Sequence, residues 1–400
     1  MRKLFYPIFA AAVLTGIAAC NAPMPRGNWS EAPYKALCQL MKECKAEADA
    51  AGHNVNYAIF DYDNTTVLQD VELACTAWQI ENLRFKFTPD QVEGLFSASI
   101  PDTGRPLTGL DAEGITSAML IADISSDYRT LMEAAGVDCG WNLSAEQLAG
   151  LQQMPEFLDI RAKIWCLYEG LFFTFSYHES FPVLMGMFYG LSYPEVDALM
   201  KEGIAAQVGK KRLGNVVWES PEMGQAGKVS YVIPDGLALS QEMRNLYKAL
   251  PENGIDVYVY SASMEAVVEA MACDPKYLGL DTAQVFALRM VKDSTGLVSQ
   301  DYLEGYVQPY KTGKTAAIRA YTATRYDGRD PVLVGGDSNG DYSMLTSFPR
   351  MRVGLIIDKG QTEEGIGDLR KLALEAEAGG APSRYVLQRR GDPEPKFSRK

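Results

Sequence analysis

Asp61 and Asp63 stand two residues apart in Tyr57-Ala58-Ile59-Phe60-Asp61-Tyr62-Asp63-Asn64-Thr65-Thr66. On an extended backbone that spacing points both carboxylates at one region of space, with Thr65 beside them. Like charges so close repel unless a cation or a shared proton separates them, and a hard divalent ion such as magnesium is the natural third party. One carboxylate can then attack an electrophile while the other moves a proton. Two plainer readings compete: an acidic surface turn, and a calcium loop. Asp61, Asp63, Thr65 and Glu72 fall at positions 1, 3, 5 and 12 of the EF-hand pattern, but Thr66 stands where glycine is required and no helix precedes the loop.

The elements around this motif explain how it would be held. Residues 57–60 are mostly apolar without a helical stripe and predict a buried strand, so the acids fall at its carboxyl end, where open parallel sheets bind ligands. Before it, Tyr34, Leu37, Met41, Cys44 and Ala48 form one face of a helix over 30–52. The next convincing buried strand is 257–260, about 200 residues on, far beyond the dozen or so of a minimal crossover. A second domain is therefore expected over 71–244, mostly helical, with a strand of a small hairpin over 228–233 and an aromatic run over 168–177. Helical pattern resumes at 237–250. Beyond it come a helix over 263–271, a helix over 315–321, and strands over 332–334, 352–357 and 385–387. The expected fold is α/β, a doubly wound parallel sheet built from 30–70 and 245–390, with 391–400 as a flexible tail.

Three further polar groups fall where such a sheet would bring them to Asp61. Ser261 follows its strand directly, offering a hydroxyl and a helix start to an anion, although alone it reads equally as a helix cap. Lys314 sits in Tyr310-Lys311-Thr312-Gly313-Lys314-Thr315 at a helix start, with Lys311 as the competing choice. The triplet is not a phosphate-binding P-loop, because Gln308 stands where that motif needs its first glycine. Finally, Val334-Gly335-Gly336-Asp337-Ser338-Asn339-Gly340-Asp341 puts two acids just past a buried strand, and Asp337 can give a divalent ion a further oxygen.

The order D-x-D-x-T, Ser, Lys, G-D-x-x-x-D resembles the haloacid dehalogenase (HAD) superfamily of phosphohydrolases. The residues 60–66, 253–262 and 272–277 are similar to those of phosphorylcholine phosphatases, neighbours of the phosphoserine phosphatases. The resemblance implies a HAD-like Rossmannoid core and an inserted C1 cap, the lid that excludes water and selects the leaving group. It also implies roles. Asp61 attacks phosphorus, and Asp63 protonates the leaving alcohol and then activates water. Asp61, the main-chain carbonyl of Asp63, and Asp337 hold Mg2+, with Asp341 close by. Ser261 and Lys314 bind phosphoryl oxygens. The second acid favours phosphate over carbon–halogen chemistry. In the cap, Tyr168, Phe172 and their aromatic neighbours are candidates to hold a quaternary ammonium, with Glu72 as its negative partner and Thr65 near the substrate. Phosphoserine, sugar phosphates and nucleotides are the alternative substrates, and a non-catalytic surface-binding lipoprotein is the alternative of another class.

Composition narrows the setting. Met1-Arg2-Lys3 and the apolar run over 4–14 read as a secretory signal over 1–19, and Thr15-Gly16-Ile17-Ala18-Ala19-Cys20 resembles a bacterial lipobox, with Cys20 lipidated. The run is too short to span a bilayer, which takes about 20 residues. Residues 20–29 then read as a tether, and the expected location is outside the cytoplasm: periplasm, outer membrane or cell surface. Loss of 1–19 removes Arg2 and Lys3 and moves the formal charge from -13 to -15, which disfavours nucleic acid as a partner. The expected partners are a small phosphorylated metabolite and, through the lipid, a membrane. Six other cysteines permit 15 full pairings and no spacing selects one. With two histidines and no C-x-x-C, zinc is disfavoured.

Overall fold

The strand Asn56–Phe60 (β1) is buried along its whole length. Its period of two sends Ala58 and Phe60 into one core and Tyr57 and Ile59 into another, so both faces of the sheet are covered. The computed structural model describes residues 22–399; the leader expected over 1–19 and Cys20 lie outside them. The remaining strands are Gly214–Glu219 (β2), Ser230–Asp235 (β3), Ile255–Met264 (β4), Val285–Leu288 (β5), Met290–Lys292 (β6), Val298–Tyr302 (β7), Leu333–Gly336 (β8), Val353–Asp358 (β9), Tyr385–Arg390 (β10) and Phe397–Ser398 (β11).

Seven of them form one sheet in the order β11-β10-β9-β8-β1-β4-β5. Every pairing is parallel except β10 with β11. The chain leaves β1 toward β4 on one side and later adds β8 on the other, which makes the carboxyl end of β1 a topological switch point. This is the doubly wound α/β class expected, with an inserted and mainly helical cap.

Between β1 and β4 lie the cap helices, chief among them Val71–Glu81, Ser117–Ala135, Pro155–Thr174, Tyr177–Met185 and Tyr193–Val208, with the antiparallel hairpin β2–β3. The two connections to the cap pair through their backbones, Leu68 N–H to Ala238 O at 2.7 Å and Ala238 N–H to Leu68 O at 3.1 Å. The chain re-enters the core through Gln241–Glu252, capped by the Ser240 side chain. The hairpin β6–β7, which the sequence pattern did not announce, reaches from the core to the cap: the Gln300 amide donates to Leu95 O (3.0 Å) and Pro182 O (2.8 Å).

Several expected boundaries change, each for a packing reason. The first helix runs Glu31–Ala51 and stops at Gly52 in the left-handed conformation. The helix expected from 263 starts at Glu265, because β4 continues through Ser263 to Met264 and pairs there with Leu288 of β5. Residues 391–399 are not a loose tail. Phe397 is buried in β11 and its ring lies 5.2 Å from that of Trp29. Met24 and Trp29, expected in a tether, are buried as well, so the start of the described chain is part of the core. Among the described residues the six cysteines are free thiols, and no helix is long and apolar enough to cross a membrane.

Candidate active site

The loops after β1, β4 and β8 and the helix Thr312–Ala317 converge at the carboxyl edge of the sheet. Asp61 follows β1, and its N–H is held by Gly335 O of β8 at 3.0 Å. Gly335 and Gly336 let that approach happen: a Cβ on Gly335 would meet the Phe60 ring, and one on Gly336 would meet Asp341. One oxygen from each of Asp61, Asp337 and Asp341 lies within 4.8 Å of the others, and all three acids are buried. The Lys314 ammonium, itself 3% exposed, donates to Asp61 Oδ1 at 2.5 Å and to Asp341 Oδ1 at 2.7 Å.

The other oxygen of Asp341 accepts the N–H groups of Asp337 (3.0 Å) and Ser338 (3.1 Å) and the Ser338 hydroxyl (3.2 Å). Both of its oxygens are thus spent on Lys314 and on shaping the loop that carries Asp337. Thr65 Oγ1 stands 3.2 Å from Asp61 Oδ2 and 3.0 Å from Asp337 Oδ1, sharing one proton between the two acids. Thr65, expected near the substrate, ties the two carboxylates together.

Asp63 sits apart from the three-acid cluster. Its Oδ1 accepts Val71 N–H at 2.6 Å, from the start of the first cap helix. Its Oδ2 accepts the Ser263 hydroxyl at 2.8 Å and faces the Ser261 hydroxyl at 3.4 Å. Close by, Glu72 Oε1 accepts Met264 N–H at 2.9 Å. Tyr177, from the cap, donates to Ala262 O at 2.5 Å, between the two serines, and stacks on Tyr310 of the core with ring centroids 4.0 Å apart.

Electrostatics separate the two aspartates of the first motif. Burial and the Asp341 charge push the Asp61 carboxyl well above the usual range, and Lys314 opposes them. Although burial pulls the Lys314 ammonium down, the charges of Asp341 and Asp61 outweigh it and keep it protonated. Burial, then the charge of Asp70, push Asp63 well above its ordinary value, against the Val71 and Ser263 hydrogen bonds. Burial raises Asp337 too, with Lys359 pulling the other way. One ammonium within the cluster does not neutralise three acids. The donor set is all oxygen and anionic, so a hard divalent cation fits it.

Lys311, the rival of Lys314, is exposed and lies over the Tyr310 ring at 5.1 Å, away from the acids. Tyr168 and Phe172 are on the cap helix Pro155–Thr174, ring to ring at 4.7 Å, and Phe172 packs on Tyr177 at 5.0 Å. Tyr177 also stacks on Phe181; Tyr168, Phe172, Phe175 and Tyr177 are partly buried against the core, whereas Phe173 is exposed. Tyr168 and Tyr177 lie near enough to Glu72 that, after burial, its charge is the chief cause holding their phenols high. Two groups were missed from sequence. Ser263 lies two residues after Ser261, and the period of two that paired Asp61 with Asp63 marks it once β4 is known to continue. Lys359 donates to Asp337 Oδ2 at 2.8 Å, and nothing in its local sequence signals that.

The doubly wound core, the inserted cap and the acid–lysine cluster at a switch point are the arrangement that the resemblance to HAD-type hydrolases implies. No protein-family model matches the chain, and no curated protein matches it. A conserved, functionally unknown protein from Anaerococcus prevotii DSM 20548 shares 25% identity over 95% of this chain and 97% of its own, with a TM-score of 0.81. The whole architecture, cap included, is therefore shared by the two. A phosphoserine phosphohydrolase-like protein from Francisella tularensis (11% identity, 78% and 92% covered, TM-score 0.34) and a HAD family hydrolase from Salmonella enterica serovar Typhi (10%, 78% and 66%, 0.36) also align.

Proposed function

We propose that this protein is a magnesium-dependent phosphomonoesterase of HAD type that works through an aspartyl phosphate. The observation carrying the reading is the convergence of Asp61, Asp337 and Asp341 on Lys314, with Asp63 held separately in a protonatable setting. A binding module has no use for that second, differently tuned carboxyl group.

Asp61 forms the new bond to phosphorus while the bond from phosphorus to the alcohol oxygen breaks, and Asp63 gives that oxygen its proton. Water then attacks the aspartyl phosphate, Asp63 takes the proton of that water, and Asp61 leaves as carboxylate. Lys314 favours the ionised form of Asp61 against its burial, and it and Ser261 neutralise and orient phosphoryl oxygens. Val71 N–H and Ser263 hold Asp63 in line. Asp61, Asp337 and the Asp63 carbonyl would hold Mg2+, whose charge offsets that of the transferred group.

For the leaving group we favour a small cation such as choline, the substrate then being phosphorylcholine. Glu72 supports this: it is a buried carboxyl at the Asp63 side with one hydrogen bond and Tyr168 near it. Export and lipid anchoring at Cys20, with no nucleic-acid partner, complete the proposal and rest on the sequence.

Purified protein should hydrolyse p-nitrophenyl phosphate with Mg2+ and not in EDTA, and Asp61→Asn should fold normally and be inactive. Wild-type activity in Asp61→Asn overturns the nucleophile. Comparing phosphorylcholine with phosphoserine, sugar phosphates and nucleotides tests the leaving group; equal kcat/KM for all four classes removes choline.

A further inference from the structure

The turn after β9 is built to aim a second ammonium into the acid cluster. Gln361, buried, donates its side-chain amide to Asp337 O (2.5 Å) and to Ile357 O (2.9 Å), while its carbonyl accepts Lys359 N–H (3.0 Å). Gly360 takes a φ of +81° to close this turn, and its N–H goes to Asp358. Asp358 is fixed by Arg370 at 2.6 Å. The turn is thereby bolted to the main chain of Asp337 itself. From it Lys359, about one third exposed, reaches Asp337 Oδ2 at 2.8 Å, while Thr65 holds Oδ1.

We propose that Lys359 is a built-in counter-ion that competes with the divalent cation at Asp337 and so sets the affinity of the site for it. This rests on the reading of the acid cluster as a metal site. Three carboxylates and the ammoniums of Lys314 and Lys359 carry a net single negative charge. Lys314 is locked between two acids, whereas Lys359 bonds one carboxylate and has a solvent-facing stem, so it is the ammonium that can yield. Lys359 holds Asp337 in place when no ion is bound, and its positive charge lowers affinity when one is. Each oxygen of Asp337 accepts one of these contacts and keeps a lone pair for an ion, so a bound cation and the Lys359 ammonium would share one carboxylate. Lys359 is a positioning residue, since it acts through Asp337.

The test titrates EDTA-treated full-length protein with Mg2+ by calorimetry and with Mn2+ by electron paramagnetic resonance, comparing wild type, Lys359→Met and Lys359→Arg. Removal of one positive charge at this range should tighten ion binding about tenfold in Lys359→Met, and Lys359→Arg should restore wild-type affinity. Ion-free Lys359→Met should also melt lower than wild type and gain more on adding Mg2+. Unchanged or weaker binding in a folded Lys359→Met overturns the proposal while leaving the metal site intact. Wild type that binds neither ion removes the metal-site reading, and this inference with it.

Discussion

Lys314→Met tests the electrostatic core of the site without reference to any substrate. Lys314 is 3% exposed and makes both of its ion pairs, 2.5 Å and 2.7 Å, with buried acids. Removing one partner of a buried pair costs about 3–5 kcal/mol, because a charge is left without compensation. The remaining acids can avoid that cost by taking up a proton. Burial and Asp341 already push the Asp61 carboxyl up, and losing the ammonium pushes it further. A carboxyl whose folded pKa lies above its unfolded value favours folding at low pH and loses that contribution as pH rises through the folded pKa. The deficit of the variant should therefore be largest at alkaline pH, about 3–5 kcal/mol at pH 8, and smaller at pH 5. Urea unfolding followed by tryptophan fluorescence in EDTA, at pH 5 and pH 8, measures this. Adding Asp341→Asn to Lys314→Met should recover part of the loss. A deficit under ~1 kcal/mol at pH 8, or one independent of pH, would refute the reasoning.

Glu72 sits at about pH 8 because of its burial, so a cationic leaving group binds its ionised form. The KM for phosphorylcholine should then fall about tenfold from pH 7 to pH 9 in wild type and stay flat in Glu72→Gln, while the KM for a sugar phosphate shows no such fall in either protein. Ser263→Ala removes a hydrogen bond that lowers the Asp63 pKa, so the alkaline limb of kcat should move to higher pH, read from a pH–rate profile against wild type. In the cap, burial and the neighbouring Asp159 carboxyl raise Asp127 to about pH 9, beside the buried Lys163 that bonds Asp159 and Asp123. Its contribution is present in acid and lost as pH rises through 9, so thermal stability should fall above pH 8 in wild type and less steeply in Asp127→Asn. Trp29→Ala should cost about 3–5 kcal/mol in urea unfolding, since Trp29 is core and not tether.

The sequence alone determined the strand that runs up to Asp61, the α/β class with an inserted, mainly helical cap, and the four polar motifs in their order. Those properties are local: a run of apolar residues, a period of two, a glycine where a turn must close. What it left open depends on partners far along the chain. Lys311 and Lys314 differ by less than one helical turn, and only the packing of the helix Thr312–Ala317 against the sheet edge buries one between Asp61 and Asp341 and leaves the other in solvent. Thr65 shows no link to Asp337 in the sequence until β8, about 270 residues on, brings that carboxylate within reach of its hydroxyl. A still longer separation hid the role of the last strand, because Phe397 in a polar, proline-containing segment looks expendable until it meets Trp29. Local pattern sets what each segment can be, whereas strand order sets which charges must share one low-dielectric space, and that sharing decides their protonation and their use.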